Sequence, residues 1–460
     1  MKTIRHLILA PLKKPVKRLV SPRGNGGVHD MFAFAFWEVY ARLQGARTRL
    51  KARMPLAPSH QKPLCLLKSA AEYTGDFFLE HIRSALLPFW ERHSPDRRYG
   101  GFITHLDRQG QVYKDDLKAT AMQGRMVCAF SIGYELFRSP TYLELAREGV
   151  RFLIENMWDK QRGGWYKSVY RNGRVREPDK NSFQQAYVLL GLVEYHRVTQ
   201  DQTALDYAVR TYRLLEQRVW DKNHLGYYES CQSDWKVKSD AKMSYIQLVM
   251  LTAIMALHEA TKEAAYLERA RQIADVIVLQ MVDRKYGCVL ERFHTNWVYD
   301  PMSVRGQALI GHNSKAAWLL LRMHQVTGVP EYYTTAERIL DFTLRHGWDA
   351  QHGGFYQYVY RNGILASTEK PWWTQGEGMQ ALVLMYALSG QRRYIDYFKQ
   401  LADFTFGHFF DPEWGEWFTA CQADGRVIDD HKGGTWKAAY DTVRACYEAY
   451  RCLLSENRHV

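Results

Sequence analysis

The sequence has little that would place the chain in an oxidising compartment or in a membrane. Only seven cysteines occur among 460 residues, and no two of them form a Cys-x-x-Cys pair. An odd number of scattered cysteines favours buried free thiols over a disulfide framework. No apolar run approaches the ~20 residues of a transmembrane helix, and the short run at 7–12 is interrupted by Pro11. We therefore expect a cytoplasmic protein without a signal peptide.

Motifs for phosphate, dinucleotide and metal binding are also missing. The sequence contains no Gly-x-x-x-x-Gly-Lys-Ser/Thr loop and no Gly-x-Gly-x-x-Gly fingerprint. No two histidines have the His-x-x-x-His spacing of a helical zinc site. We expect no redox cofactor and no catalytic metal.

The net charge of +13 does not indicate a nucleic-acid-binding domain, because most of it is confined to the first sixty residues. Residues 1–60 hold twelve Lys and Arg against two acids, and the rest of the chain carries +3. We predict a basic extension over residues 1–63, one domain over 64–460, and no nucleic-acid partner. Three interpretations of the extension stay open: an amphipathic helix over 30–54 that contacts a membrane surface or a protein, a disordered tail, or a true start at Met31 or Met54.

One segment recurs six times along the rest of the chain. Each copy has a glycine or acid followed by aromatic and alternating residues, and several copies end in Asn-Gly or Asp-Gly, which suits a hairpin turn. The aligned positions are Gly101, Gly164, Gly226, Gly287, Gly354 and Glu416. Successive copies are 63, 62, 61, 67 and 62 residues apart. A sixfold structural repeat therefore organises the chain.

Helical periodicity flanks these copies on both sides. The stretches that follow them are more apolar and lie at 118–137, 181–196, 243–260, 305–326, 372–388 and 436–454. The preceding stretches carry more charge on one face, as at 142–157, 204–219 and 332–346. We predict an all-α fold, an (α/α)6 barrel of six helix pairs and twelve helices, with the apolar set inside. We prefer closure, with the hairpins at the cavity mouth, to an open solenoid because the repeats number six.

Polar residues recur near the starts of the predicted inner helices. Buried charges are costly unless they are paired or functional, so their convergence at one end predicts a pocket. Each residue alone has an ordinary explanation; Asp441, for example, follows Lys437 at the spacing of a surface ion pair. The candidates are Gln123, Arg125, Gln185, Gln247, Arg305, His312, Lys315, Trp372, Trp373, Gln375, Glu377, Trp436 and Asp441.

These residues resemble those of the N-acylglucosamine 2-epimerase superfamily, which includes cellobiose 2-epimerases and mannose isomerases. The resemblance covers residues 65–455. It is carried by Gln123-Gly-Arg125, by Gly311-His312, by Trp372-Trp373-Thr-Gln375-Gly-Glu377, by Gly415-Glu-Trp-Phe418 and by Lys432-Gly-Gly-Thr-Trp436-Lys437.

The resemblance implies a sugar substrate whose C2 proton is removed through an ene-diolate and returned, with two histidines as acid and base and an arginine at the oxyanion. By position, His312 matches the first histidine and Arg125 the arginine, but Asp441 stands where the second histidine is expected. Lys315 replaces a carboxylate that usually follows the first histidine by three residues. A histidine on the third inner helix is also missing, and its neighbourhood holds Ser244, Tyr245 and Gln247.

These departures lead to a specific hypothesis. An ionised Asp441 can accept the C2 proton, whereas His312 can donate or accept one because histidine titrates near ~6.5. We assign Asp441 as the base, His312 as the acid and Arg125 as the oxyanion ligand. The other candidates are assigned to substrate binding, with Lys315 paired to an anionic substrate or to Asp441. This predicts an epimerase or aldose–ketose isomerase acting on a charged or modified sugar.

Two other functions stay open at this point. The first is an (α/α)6 glycoside hydrolase that uses Glu377 and Asp441 as acid and base, for which a carboxyl separation of ~6.5–9.5 Å would suit inversion. The second is a carbohydrate-binding protein without turnover, which the missing histidines favour. The sequence is compatible with a homodimer but does not require one, and it does not indicate which sugar binds.

Overall fold

The computed structural model describes residues 73–456, apart from position 303 and the side chains of 455 and 456. The predicted extension, with its helix over 30–54, lies outside the described residues. The described part forms twelve helices in two rings. The outer helices are α1 (Gly75–His81, Ile82–Leu86 and Leu87–His93), α3 (Pro140–Phe152 with Leu153–Met157), α5 (Gln202–Arg218), α7 (Ala264–Val276 with Ile277–Met281), α9 (Pro330–Phe342 with Thr343–Gly347) and α11 (Arg392–His408). The inner helices are α2 (Thr120–Phe137), α4 (Ser182–Thr199), α6 (Ser244–Thr261), α8 (Ile310–Thr327), α10 (Trp372–Ser389) and α12 (Ala439–Glu456).

The inner helices form a closed ring. Each packs against the next in chain order, and α12 packs against α2. Every inner helix except α12 pairs with the outer helix that follows it, while α12 pairs with α1, so the two ends of the described chain meet. The inner helices are buried on nearly all sides because they touch neighbours on both flanks and outer helices behind. The predicted (α/α)6 barrel is confirmed.

Short antiparallel strands link the repeats at one end of the barrel. They are β1 (His105–Leu106), β2 (Val112–Lys114), β3 (Lys118–Ala119), β4 (Ser168–Val169), β5 (Val175–Glu177), β6 (Lys180–Asn181), β7 (Ser230–Cys231), β8 (Val237–Ser239), β9 (Lys242–Met243), β10 (Arg292–Phe293), β11 (Gln307–Leu309), β12 (Tyr358–Tyr360), β13 (Lys370–Pro371), β14 (Ala420–Cys421) and β15 (Val427–Asp429). The strand that leads into an inner helix pairs with the hairpin of the next repeat, as β3 does with β4 and β6 with β7. The last repeat pairs with the first through Leu106 and Gly433. The hairpins therefore close a second ring above the helices.

A side-chain amide near the start of most inner helices holds the hairpin above it. The Gln185 amide accepts a hydrogen bond from the Trp165 N–H and donates one to the Trp165 C=O, at 3.0 and 2.7 Å. We call this contact the amide clamp. Equivalent two-way clamps join Gln123 to Phe102, Gln247 to Tyr227 and Gln375 to Phe355. The Gly-Gly motif gives the clamp room, since a Cβ on Gly101 would lie 2.8 Å from the Gln123 Oε1 atom.

Buried ion pairs reinforce the same junction. A fully buried lysine before the inner helix pairs with the aspartate of the loop below the hairpin, at 2.8–3.3 Å. The pairs are Lys118–Asp96, Lys180–Asp159, Lys242–Asp221, Lys370–Asp349 and Lys432–Asp411. In the fourth repeat Ala308 takes the lysine position, and Arg361 from the next hairpin pairs with Asp283 at 3.2 Å instead.

Two inner helices begin later than their periodicity predicts. The helix expected from 305 begins at Ile310, because Arg305 and Gly306 have positive φ and residues Gln307–Leu309 form β11. The helix expected from 436 begins at Ala439, because Gly434 and Lys437 exchange backbone hydrogen bonds in a turn.

Two further findings concern the cysteines and the helices of the described residues. Among the described residues none of the six cysteines forms a disulfide, and five of them are buried. No helix in the range 73–456 combines the length and apolar character needed to cross a membrane.

Replacing Gln185 with alanine should destabilise the barrel, because the N–H and C=O of Trp165 would be buried without partners. Each such group costs about 1–3 kcal/mol, so urea unfolding should show a loss of about 2–5 kcal/mol. The control is Gln184→Ala, which removes the same atoms from the adjacent position, where the Oε1 atom has no partner among the described residues. Equal losses in both variants would show that the clamp adds nothing to stability.

Candidate active site

A cavity of about 540 Å³ lies where the N-terminal ends of the inner helices meet the hairpins. Each of the six inner helices contributes to its wall, and the fifth and sixth hairpins cover one side. The helix residues in the wall are Arg125, Phe183, Tyr187, Tyr245, Val249, His312, Lys315, Trp372, Trp373, Glu377 and Asp441. A volume of this size suits a small ligand.

A simple sequence rule selects much of this wall. In five of the six repeats the residue two positions after the clamp position faces the cavity, which brings in Arg125, Tyr187, Val249, Lys315 and Glu377. The clamp position of the fourth repeat is Asn313, whose Oδ1 atom accepts a 2.8 Å hydrogen bond from the Val289 N–H. Two residues turn about 200° around an α-helix. A glutamine that faces the hairpin therefore puts the second residue after it on the opposite side, toward the axis of the barrel.

His312 is held from three directions. Its Nδ1 atom lies 2.7 Å from Oε2 of the buried Glu291, and its ring lies between those of Tyr245 and Trp373, with centroids 6.2 and 5.3 Å away. Gly311 allows this packing, since a Cβ there would lie 2.1 Å from the Trp373 ring. Nε2 makes no hydrogen bond with the described residues, so it is the ring nitrogen available to a ligand.

Asp441 and Arg125 form the adjacent side of the cavity. An Nη1 atom of Arg125 lies 4.0 Å from Oδ2 of Asp441 and donates a 2.6 Å hydrogen bond to the carbonyl of Trp436. The guanidinium lies 4.0 Å from the ring centroid of Tyr187. Oδ2 of Asp441 is buried and has no hydrogen-bond partner among the described residues.

Burial raises the pKa of Asp441 above the ordinary aspartate value, although the positive charges of Arg125 and Lys315 partly oppose this shift. The protonated form of Asp441 is therefore easier to reach near neutral pH than that of an exposed aspartate. This weakens the expectation that an aspartate here is only a proton acceptor.

Lys315 has a different partner from the anionic substrate or Asp441 that we expected. Its ammonium donates to Oε1 of Glu377 at 2.8 Å, while Trp318 donates to Oε2 of the same carboxylate at 2.6 Å. Lys315 is therefore paired with Glu377, not with Asp441, and its charge is already neutralised within the barrel wall. Both oxygens of Glu377 are occupied, which leaves that carboxylate poorly suited to donate a proton.

The structure separates the predicted binding residues into two groups. Trp372, Trp373, Glu377, Lys315 and Trp436 line the cavity, and Trp436 is 62% exposed at its mouth. Five other candidates do not: the exposed Arg305 lies in the loop before β11, and four buried residues are the clamp glutamines Gln123, Gln185, Gln247 and Gln375. The four amides are used up by backbone groups, and the assignment of all five residues to substrate binding stays a prediction.

Several residues in or behind the cavity wall were not among the candidates chosen from the sequence. Phe183 and Tyr187 on α4 and Glu369 before β13 line the cavity, and Glu291 supports His312 from behind. Aligning the repeats on the clamp glutamine would have found Tyr187, which shares a column with Arg125 and Lys315. Glu291 lies just before β10, and its position gives no distinct signal, because the third repeat also has a carboxylate there, Glu229.

One group of described residues has the spacing of metal ligands. Asp429, Asp430 and His431 bring ligand atoms within 4.8 Å of one another, and Asp429 reaches the cavity wall. His431 Nδ1 and Oδ1 of Asp429 already form a 2.7 Å hydrogen bond. This hydrogen bond explains why two of the three groups lie together.

Comparison with known proteins gives a consistent picture. Residues 101–445 match the model of the N-acylglucosamine 2-epimerase (GlcNAc 2-epimerase) family. The chain is 31% identical to the N-acylglucosamine 2-epimerase of Homo sapiens over 388 residues, covering 80% of this chain and 88% of the relative. It is 24% identical to the D-mannose isomerase of Marinomonas mediterranea, covering 77% of this chain and 92% of the relative.

A solved structure has the same architecture. The cellobiose 2-epimerase from Spirochaeta thermophila superposes with a TM-score of 0.77 and 26% sequence identity. The match covers 83% of this chain and 97% of the solved one.

Asp441→Asn should change how the free energy of unfolding depends on pH. Because the folded protein holds the Asp441 proton more tightly than the unfolded chain does, stability falls as pH rises from ~4 through the raised pKa. The amide variant should lose this fall and be more stable than the wild type at the upper end of that range, measured by urea unfolding at several pH values. Glu369→Gln, which removes another carboxyl group from the same cavity, is the control. An unchanged pH slope in Asp441→Asn would contradict the shift.

Proposed function

This chain belongs to the N-acylglucosamine 2-epimerase family, and we propose that its cavity catalyses 2-epimerisation or aldose–ketose isomerisation of a sugar. The observation that carries the proposal is the arrangement of His312, Asp441 and Arg125 around one cavity. In the ring of inner helices, α8 stands opposite α2, and α12 is the neighbour of α2. His312 therefore approaches a ligand from one side, and Asp441 with Arg125 from the other.

This arrangement suits proton transfer at the carbon beside a carbonyl group. Asp441 takes the C2 proton of the open-chain sugar, and the electrons move to the carbonyl oxygen to form an ene-diolate. The positive charge of Arg125 stabilises the negative oxygen. Its guanidinium is held in place for this role by the hydrogen bond to the Trp436 carbonyl and by stacking on the Tyr187 ring. Delivery of a proton from His312 to the opposite face of C2 gives the 2-epimer, and delivery to C1 gives the ketose. In the reverse direction the two residues exchange roles.

The charges of the cavity favour a neutral sugar over an anionic one. Lys315 is already paired with Glu377 and Arg125 lies beside Asp441, so neither cation is left without an acid nearby. Glu369 and Asp429 add two further carboxylates to the wall. A phosphorylated or uronate sugar would bring another negative charge among these acids. We therefore propose an uncharged substrate, such as an N-acylhexosamine, a free hexose or a disaccharide.

The glycoside hydrolase alternative has less support. It would need Glu377 as a proton donor, but Lys315 and Trp318 both donate to that carboxylate. It also leaves His312 and Arg125 without a role. A protein that binds sugars without turnover is separated from an enzyme by assay.

Incubation with N-acetylglucosamine, mannose and cellobiose in deuterated water tests the function directly. Deuterium at C2 with a new aldose or ketose supports the proposal, chain cleavage supports the hydrolase, and binding without either supports a non-catalytic protein. His312→Ala should reduce formation of the 2-epimer or ketose by about 10²–10⁴-fold, the range for loss of a general acid or base. His324→Ala is the matched control, because His324 lies on the same helix and bonds to Val329 at its far end. Full product formation in His312→Ala would remove that residue from the mechanism.

Arg125→Lys should lower kcat by about 10²–10³-fold, the usual effect of losing one oxyanion ligand. A lysine keeps the charge but cannot both donate to Trp436 and stack on Tyr187 in the same way. Steady-state kinetics should show the loss mainly in kcat, with KM changed little. A variant that changes only KM would assign Arg125 to substrate binding and not to the transition state.

A further inference from the structure

Glu291 is the carboxylate that reaches His312, and it comes from a different element than the sequence led us to expect. Lys315 occupies the position three residues after His312, where the resemblance implies an acid. Glu291 lies instead in the fourth hairpin, just before β10, and is 3% exposed. Its Oε2 atom contacts His312 Nδ1 at 2.7 Å. It does not line the cavity.

The orientation of the Glu291 carboxylate is fixed by two further donors. The Leu309 N–H, immediately before α8, donates to Oε1 at 3.0 Å. The Ser244 hydroxyl, at the start of α6, donates to Oε2 beside the histidine. A carboxylate accepts hydrogen bonds and cannot donate them. His312 must therefore carry its hydrogen on Nδ1 in this contact.

Comparison of the repeats shows that the pair of an acid and a histidine occurs in one repeat, although the third repeat has the acid alone, as Glu229. Glu291 lies two residues after Val289, whose N–H donates to the Asn313 amide, and its backbone C=O accepts from the Ser244 N–H at the start of α6. By these contacts, the equivalent hairpin positions are Thr104, Lys167, Glu229, Gln357 and Thr419. The helix positions equivalent to His312 are Met122, Gln184, Ile246, Thr374 and Trp436. Only the fourth repeat has a carboxylate at the first position and a histidine at the second. The barrel can be built without this pair, so its presence calls for a role other than folding.

We propose that Glu291 is a positioning residue that holds one hydrogen of His312 on Nδ1, so that Nε2 is the atom that accepts a proton from the substrate in one direction of the reaction and returns it in the other. This inference rests on the proposed function. When His312 takes up a proton at Nε2, the neighbouring carboxylate stabilises the resulting imidazolium while the Nδ1–H bond is kept. Glu291 itself touches no reacting atom.

Glu291→Gln gives a sharp test because the Leu309 N–H still requires an oxygen at the Oε1 position. The amide nitrogen of the glutamine is then directed toward His312 Nδ1 and donates to it. The ring must move its hydrogen to Nε2, which removes the lone pair from the cavity side. We expect kcat to fall by about 10²–10⁴-fold, with KM changed less than about threefold because Glu291 does not line the cavity.

The tautomer of His312 can be measured independently of activity. In protein labelled with ¹⁵N-histidine, the wild-type His312 should show a protonated Nδ1 and an unprotonated Nε2, and Glu291→Gln should show the reverse. Glu448→Gln is the matched control: it makes the same change at a buried carboxylate that pairs with Arg322 and does not line the cavity, so the wild-type tautomer and most of kcat should remain.

A purely structural role for Glu291 predicts a different set of results. Glu291→Gln would then lower the melting temperature while the His312 tautomer and kcat stay as in the wild type, and this outcome would overturn the inference. If the wild type exchanges no C2 proton with any sugar, the proposed function fails. The nitrogen spectra would still show whether Glu291 sets the tautomer.

Discussion

The whole structure depends on the attachment of each hairpin to the top of the next inner helix. An inner helix is apolar and buried, so it has little to fix its rotation or height apart from packing. The amide clamp supplies this constraint, because a side-chain amide on the helix pairs with both backbone groups of one hairpin residue, as Gln185 does with Trp165. Buried Lys–Asp pairs hold the loop below the same hairpin. In the sixth repeat, Lys437 and Glu416 take over the clamp contacts with the backbone of Trp417.

The clamp also decides which residues form the cavity. Once a glutamine is turned toward the hairpin, the second residue after it is turned toward the axis. The sixfold repeat thus builds a ring of interior positions on which the sequence is free to vary. Arg125, Lys315 and Glu377 occupy three of them, and Tyr187 and Val249 occupy two more. The stability of the barrel and the chemistry of its cavity are therefore carried by separate columns of the same repeat.

The fourth repeat departs furthest from the common plan. It has Ala308 in place of the buried lysine that precedes the other inner helices, and it has the longest spacing to the next copy of the repeat. It also carries both His312 and Glu291. Across the cavity, Asp441 is buried with one oxygen unpartnered beside Arg125. Leaving a carboxyl group in this state costs stability. Such a cost is expected where a proton must be gained and lost, since a fully hydrogen-bonded carboxylate would hold one state too firmly.

The sequence by itself determined the barrel, the number of helix pairs, the place of the hairpins and the family, because these rest on periodicities within a repeat that occurs six times. It also selected His312, Arg125 and Asp441 by their positions in motifs, while their chemical roles stay a prediction. Only the tertiary structure decided which polar side chains at the helix tops face the cavity. Gln123 and Arg125 are two residues apart in the chain, yet one bonds to a hairpin and the other lines the cavity. The partners of such groups lie tens to hundreds of residues away, as Glu291 lies from His312 and Asp441 from Arg125, and local sequence carries no information about contacts that form only when the ring closes.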